Sequence, residues 1–245
     1  MDAGAYDAWY HTPRGAWIGE IEFQLLRQLL RPECGQSLLD VGCGTGYFTR
    51  RFAGGTGLRA VGLDPNASWL EFARASSTGS ERYCLGTAES LPFADRSFDL
   101  SVSITALCFV DESRRALQEM LRVTRKHIAA GLLNRHSLLY YTTREIRALC
   151  DGLSVTNLPF RSAVFRPGGG RFARRLEPLI PDWLRLGAFI VAAGDETAAK
   201  QDGSERPHSS ELGGCAGGLL RPSRDCRPSG LAALKLPFAN YGSRP

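Results

Sequence analysis

Apolar residues recur along the first 195 positions in two patterns, one typical of helices and one of buried strands. Between Ile18 and Leu30 they return every three or four positions, which predicts an amphipathic helix that ends before Pro32. Further helices are predicted at 47–53, where Gly54 and Gly55 would end the helix, and at 67–75, 112–125 and 144–149. Short apolar runs predict strands at 37–41, 58–63, 82–85, 98–104, 128–133, 161–165 and 186–193.

Strands that alternate with helices indicate parallel pairing through right-handed crossovers. The pattern therefore predicts an α/β fold with an open, doubly wound sheet. From residue 200 the pattern stops, and residues 200–245 are rich in Gly, Pro, Ser and Arg. Such a segment buries too little apolar surface to offset the entropy of the chain. We expect a folded domain over residues 1–199 and a disordered tail over residues 200–245.

Composition narrows the class of protein. The net charge of +5 comes from arginines mixed with carboxylates along the whole chain, which argues against nucleic acid as a partner. No apolar run approaches the roughly 18 residues of a membrane-spanning helix, and the first ten residues do not have the layout of a signal peptide. Seven cysteines include no CxxC pair, so no metal site is expected. We predict a cytoplasmic protein without membrane insertion.

A glycine-rich turn in "LLDVGCGTGYFTR", residues 38–50, carries the first chemical signal. Gly42, Gly44 and Gly46 read GxGxG, with Tyr47 where the dinucleotide pattern GxGxxG has its third glycine. The spacing therefore disfavours a pyrophosphate at the start of the helix. Asp40 would also repel a pyrophosphate, whereas it suits a ligand with a cationic centre or a free amine.

A second acid stands at the end of the next predicted strand. Asp64 lies 22 residues after Gly42, where a carboxylate can accept both hydroxyls of a ribose. A ribose joined to a cationic chain that bears an amine describes S-adenosylmethionine. Asp64 has an alternative role as the cap of the helix that begins near Ala67, because Asp before Pro is a common turn residue.

Four segments in fixed order, "LLDVGCGTG", "VGLDPN", "GTAESLPFADRSFDL" and "ALQEMLRV", resemble the class I S-adenosylmethionine-dependent methyltransferases. The likeness covers about residues 5–195 and is nearest to the small-molecule group that includes the ubiquinone and menaquinone biosynthesis methyltransferases. It implies a mostly parallel, seven-stranded, Rossmann-like sheet with one antiparallel strand, preceded by an N-terminal helix. The cofactor would lie across the carboxyl ends of the strands.

The resemblance also implies roles for single residues. It places Asp40 and the three loop glycines around the methionine part of S-adenosylmethionine, and Asp64 at the ribose. The remaining implied contacts are Thr87, Ala88 and Glu89 beside the adenine, Ser103 beneath the methyl donor, and an aromatic N-terminal element that closes over the cofactor, formed by Tyr6, Trp9 and Tyr10. These aromatic residues have an alternative role as hydrophobic staples for the helix from Ile18.

The predicted reaction is methyl transfer to a small-molecule acceptor by in-line displacement, with acceptor identity and oligomeric state left open. Positioning alone supplies up to about 7–11 kcal/mol in favourable cases, so a conspicuous catalytic pair is not required. His136 is a candidate general base if the acceptor must lose a proton. Two alternatives remain: a nicotinamide-dependent oxidoreductase, and a protein that binds S-adenosylmethionine without turnover. A short connection near Tyr141 favours the second of these.

Overall fold

A computed structural model of the protein describes residues 2–133, 143–153, 155–156, 160–163 and 189–196. The helices are α1 (Ala3–Tyr10), α2 (Pro13–Leu30), α3 (Tyr47–Thr56), α4 (Ala67–Ala75), α5 (Ser113–Val123) and α6 (Thr143–Cys150), with a 3₁₀ helix at Ala106–Phe109. The strands are β1 (Ser37–Val41), β2 (Arg59–Asp64), β3 (Glu81–Leu85), β4 (Phe98–Ile104), β5 (Thr124–Leu133), β6 (Val155–Thr156), β7 (Phe160–Ala163) and β8 (Phe189–Glu196).

All eight strands join one sheet in the order β3-β2-β1-β4-β5-β8-β6, with β7 also paired to β8. The first five strands are parallel, and β8 runs antiparallel to β5. Val155 pairs with Glu196 and Phe160 pairs with Ala192, so β6 and β7 lie along successive parts of β8 and share one position in the sheet. Seven strand positions with one antiparallel strand confirm the predicted doubly wound, Rossmann-like fold.

Apolar layers cover both faces of the sheet. Leu38 of β1 packs in a cluster with α2 and α3, which includes Leu26 and Phe52. The next residue, Leu39, packs in a second cluster that includes Met120 of α5. Because successive side chains of a strand point to opposite faces, a strand covered on both faces buries its polar residues, here Ser37 and Asp40, together with its apolar ones. This explains why every residue of β1 is buried.

The N-terminal helices begin before the first residue of the apolar pattern, which starts at Ile18. Helix α1 is capped by Asp2, whose side chain accepts a hydrogen bond from the amide of Ala5. Helix α2 starts at Pro13, not Ile18, because the Thr12 hydroxyl accepts a hydrogen bond from the amide of Gly15 at 3.0 Å. Both starts depend on capping side chains and not on apolar spacing.

Two predicted helix ends were wrong. Helix α3 continues through Gly54 and Gly55 to Thr56 and ends at Gly57, which has a left-handed conformation with φ +68°. Helix α5 ends at Val123 because Thr124 is extended and already pairs with Phe98 of β4. The predicted end at residue 125 therefore lies inside β5.

Three sequence predictions fall outside the described residues: the role of His136, the short connection near Tyr141 and the tail over 200–245. Within the described ranges, no helix is both long and apolar enough to cross a membrane. The same ranges contain no group of three or more acidic, His or Cys side chains that could hold a metal ion.

Candidate functional site

A pocket of about 470 Å³ opens at the carboxyl ends of β1, β2 and β4. Strand β1 lies between β2 and β4, so consecutive crossovers leave it in opposite directions, which is where ligands bind in open α/β sheets. Eight of the nine predicted cofactor-binding residues line this pocket: Asp40, Gly42, Gly44, Asp64, Thr87, Ala88, Glu89 and Ser103.

The glycine loop passes close to the end of the neighbouring strand. Gly42 has φ +77°, and a Cβ atom at this position would lie 2.2 Å from the Cβ of Ala106 in the 3₁₀ helix. The amides of Gly42 and Cys43 both donate to the carbonyl of Leu63, at 2.7 and 3.0 Å. The loop is therefore fixed against both β2 and the chain that follows β4, with no space for a side chain at Gly42.

Asp64 holds the loop from the opposite side. One carboxylate oxygen accepts a hydrogen bond from the amide of Gly44 at 2.9 Å, and the other accepts from the amide of Asn66 at 2.9 Å. Asn66 caps α4, because its side chain accepts from the amides of Ser68 and Trp69. The alternative role of Asp64 as the cap of α4 is therefore wrong. Its oxygens retain lone pairs for further donors.

Asp40 is the more deeply buried of the two acids, with 1% of its surface exposed. The Thr49 hydroxyl donates to its carboxylate at 2.6 Å. Burial raises the pKa of Asp40 to about 7, the hydrogen bond from Thr49 lowers it, and the charge of Asp64 raises it further. A cation in the pocket would stabilise the charged form of Asp40.

Gly46 is the one predicted cofactor contact that the structure does not bring into the pocket. It caps α3 in a left-handed conformation, and a Cβ atom there would lie 2.4 Å from the hydroxyl oxygen of Tyr83 on β3. The glycine thus allows Tyr83 to pack behind the loop. The glycine is therefore required for the packing of Tyr83 and not for contact with a ligand.

Two buried hydroxyls in the pocket, Thr45 Oγ1 and Ser103 Oγ, have no hydrogen-bond partner among the described residues. Buried polar groups are nearly always satisfied, so these two indicate polar atoms of a ligand. Ser103 was predicted from the family resemblance. Thr45 was missed, because it stands at an unspecified position of the GxGxG pattern.

An aromatic wall faces the strand ends. Tyr6 and Tyr10 of α1 line the pocket, whereas Trp9 is absent from the described lining and is 38% exposed. Tyr10 stacks on Tyr47 with 3.9 Å between ring centroids, and Tyr6 packs against Trp69 at 4.9 Å. Burial raises the pKa of both tyrosines. Tyr6 and Tyr10 thus form part of the pocket, and Tyr10 also belongs to the same apolar cluster as Ile18 of α2.

The charge of the lining is one-sided. Four acids line the pocket, and no Lys, Arg or His does so within the described parts of the chain. A negative lining opposes a pyrophosphate and favours a cationic ligand. S-adenosylmethionine carries an amine, a sulfonium and ribose hydroxyls. These groups fit the two unsatisfied hydroxyls, the buried Asp40, and Asp64, which can accept the ribose hydroxyls. Fold and site together define a class I methyltransferase.

Comparison with known proteins agrees with this class. Residues 39–127 match the family model described as a methyltransferase domain. An uncharacterised protein of Mycobacterium tuberculosis is 29% identical over 231 residues, which cover 86% of this chain and 77% of the relative. The malonyl-[acyl-carrier protein] O-methyltransferase of Pectobacterium atrosepticum is 36% identical over 123 residues, 50% of this chain and 46% of that protein.

Among solved structures, a Thermotoga maritima protein described as an S-adenosylmethionine-dependent methyltransferase, possibly a histamine N-methyltransferase, has a TM-score of 0.65. It is 26% identical, and the match covers 79% of this chain and 95% of that one. The fold and these likenesses identify the present chain as an S-adenosylmethionine-dependent methyltransferase, and its cofactor is S-adenosylmethionine. The comparisons give no support to a nicotinamide-dependent oxidoreductase. The narrower likeness to quinone enzymes stays a prediction.

Proposed function

We propose that the pocket at the ends of β1, β2 and β4 holds S-adenosylmethionine and methylates a small amine. The observation that carries the cofactor part is the convergence of eight residues, chosen by spacing and resemblance, on one pocket. Asp40 and the loop at Gly42 and Gly44 would hold the methionine end. Asp64 would accept the ribose hydroxyls, and Thr87, Ala88 and Glu89 would border the adenine.

S-adenosylmethionine supplies an electrophilic methyl group whose leaving group is a neutral thioether, so the protein need not protonate the sulfur. The chain's own residues then have two tasks. Asp40 and Asp64 fix the cofactor by charge and hydrogen bonds, and the aromatic wall excludes water from it. Positioning of this kind is a sufficient source of rate acceleration.

The electrostatics of the pocket mouth favour an amine over an anionic acceptor. Phe109 and Val110 supply apolar contacts there, and Asp111 adds a carboxylate. Carboxylates and aromatic rings both attract ammonium groups, whereas a second carboxylate would be repelled. The names of two similar proteins indicate different acceptors, malonyl-[acyl-carrier protein] in one and histamine in the other. The negative lining supports the amine.

Calorimetry with S-adenosylhomocysteine tests the cofactor assignment. Replacement of Asp64 by alanine should weaken binding by more than tenfold, about 1.4 kcal/mol, because ribose hydrogen bonds and the link to Gly44 are lost. Glu71→Ala, which removes an exposed acid from α4, serves as the control and should leave affinity unchanged. Equal affinities for Asp64→Ala and the wild type would rule out the ribose role.

A turnover assay with matched small amines, phenols and carboxylates tests the acceptor class. Asp111→Asn should raise KM for the amine several-fold while KM for S-adenosylmethionine stays constant. The neighbouring Glu112 is exposed and pairs with Arg115 at 3.5 Å, so Glu112→Gln is the matched control. Methylation of carboxylates alone would overturn the amine assignment. Cofactor binding without product from any acceptor would favour a binding protein without turnover.

Three features remain predictions from the sequence. They are a cytoplasmic location, the absence of a nucleic-acid partner, and the division of the chain into a domain over 1–199 and a tail over 200–245. A role for His136 as general base also stays a prediction, and a pH profile of the His136→Ala variant would test it.

A further inference from the structure

The side chain of Arg50 bridges the glycine loop and helix α1. It lies in the first turns of α3, and its Nη1 donates to the carbonyl of Thr45 at 2.6 Å while its Nη2 donates to Asp7 Oδ1 at 2.8 Å. The side chains of Arg50 and Asp7 are only 15% and 10% exposed. A hydrogen-bonded ion pair this well shielded from water is stronger than a typical surface pair.

Both partners of Arg50 belong to the pocket wall. Thr45 lines the pocket from the loop, and Asp7 lies on α1 between Tyr6 and Tyr10, whose rings line it from the opposite side. Arg50 is not itself among the described lining residues. It therefore links the two walls from behind without contact with the ligand.

The opposite end of α1 is already fixed. The Thr12 hydroxyl donates to the carbonyl of Trp9 at 2.7 Å, and a Cβ atom at Gly15 would lie 1.9 Å from that carbonyl oxygen. The junction with α2 is thus tight, and motion of α1 away from the loop would have to break the ion pair of Asp7 with Arg50 and slide the rings of Tyr6 and Tyr10.

We infer that Arg50 is a positioning residue that latches α1 against the cofactor loop and so slows release of the cofactor product. The latch has two contacts, one to the loop backbone and one to Asp7. Loss of the arginine removes both contacts, whereas loss of the Asp7 charge removes one. Loss of Arg50 should therefore speed release of the cofactor product more than loss of the Asp7 charge does.

Two measurements test the latch: the dissociation rate of S-adenosylhomocysteine by stopped flow, and hydrogen exchange of the amides of α1. Arg50→Met should speed dissociation about tenfold, which corresponds to about 1.4 kcal/mol. Asp7→Asn should give a smaller increase, and Arg50→Lys should fall between wild type and Arg50→Met. Exchange of the α1 amides should accelerate in the same order.

Arg51 provides the matched control. It pairs with Glu20, donates to the carbonyl of Gly19 in α2 at 3.2 Å and contacts the Tyr47 hydroxyl at 3.4 Å, and no contact with α1 is found among the described residues. Arg51→Met should leave the dissociation rate and the exchange of α1 within twofold of wild type. His11→Ala removes the 3.3 Å contact between His11 and Asp7 and leaves the pair of Asp7 with Arg50 in place. Comparison with Asp7→Asn therefore separates the effect of the His11 contact from that of the latch.

The latch is overturned if Arg50→Met and Arg51→Met change dissociation and exchange equally, since both would then act only through general stability. It is also overturned if Arg50→Met and Asp7→Asn have fully additive effects, because the shared ion pair requires the double variant to show less. Should Arg50→Met fail to fold, Asp7→Asn and Arg50→Lys carry the test. Exchange of α1 without ligand tests the latch even if the wild type binds no S-adenosylhomocysteine.

Discussion

The two walls of the pocket are held together by different forces. The strand-end wall consists of the glycine loop, Asp40 and Asp64, and it is fixed by hydrogen bonds from backbone amides, such as the bond from the Gly44 amide to the Asp64 carboxylate. The α1 wall consists of aromatic rings, and it is fixed by stacking and by the ion pair of Asp7 with Arg50. The hydrogen bonds of the glycine loop are directional and the loop is closely packed, so it cannot accommodate a larger side chain. The packed rings of the α1 wall can shift. We therefore expect substitutions in the strand-end wall to be the more damaging.

Gly42→Ala should have the largest effect on cofactor binding, a loss of at least about 100-fold or about 2.7 kcal/mol. The added methyl group would lie 2.2 Å from the Cβ of Ala106, at a backbone conformation with φ +77°. Calorimetry with S-adenosylhomocysteine measures the loss. Gly54→Ala is the control, because open space surrounds that position in α3, and it should keep full affinity with a melting temperature at or above wild type.

This contrast also sets what the sequence could predict. Asp40, Gly42 and Asp64 follow from strand, turn and helix geometry, because the carboxyl ends of adjacent parallel strands meet at one edge. Helix α1 has no comparable pattern: it is eight residues long, and its start depends on the cap at Asp2. The pair of Asp7 with Arg50 joins residues 43 positions apart, a separation that no local spacing encodes.

Some residues inside a well-predicted motif still had roles that spacing could not assign. Gly46 belongs to the GxGxG pattern, yet it accommodates Tyr83 behind the loop. Thr45 has no special position in the pattern, yet it lines the pocket, and its buried hydroxyl has no hydrogen-bond partner among the described residues. The direction of a side chain at a left-handed turn depends on each residue's φ and ψ angles, which the pattern of residue types does not fix.

Within the α1 wall, Tyr10→Ala should be far more costly than Trp9→Ala. Tyr10 is 7% exposed and stacked on Tyr47, so its loss should lower the free energy of unfolding by about 3 kcal/mol and weaken cofactor binding about tenfold. Trp9 is 38% exposed, and its loss should lower the free energy by less than about 1 kcal/mol. Urea unfolding measures both. Similar losses of unfolding free energy for the two variants would contradict the assignment of Tyr10 to the buried face of α1 and Trp9 to its exposed face.

Asp40 allows the strand-end wall to be tuned by pH, since its pKa lies at about 7 in the cofactor-free protein. Its charged form attracts a cationic cofactor, so affinity should rise as pH increases through 7. Between pH 6 and pH 8 the ionised fraction changes about tenfold, and affinity should change by the same factor. Asp40→Asn should bind more weakly and show little change over this range. A wild-type affinity independent of pH would exclude contact between the Asp40 charge and the cofactor.

The stability of the cofactor-free protein should change in the opposite direction. The pKa of Asp40 rises from 3.8 to about 7 on folding, so its favourable contribution is complete below the unfolded value and is lost as pH rises through the folded one. Burial raises the pKa of Glu22 in α2 to about 8, which adds a loss of the same sign. The difference between wild type and Asp40→Asn therefore isolates Asp40. We expect Asp40→Asn to melt higher than wild type at pH 8 and to lose this advantage at pH 5. Above pH 7 the buried charge of Asp40 therefore favours binding of the cationic cofactor and disfavours folding of the cofactor-free protein.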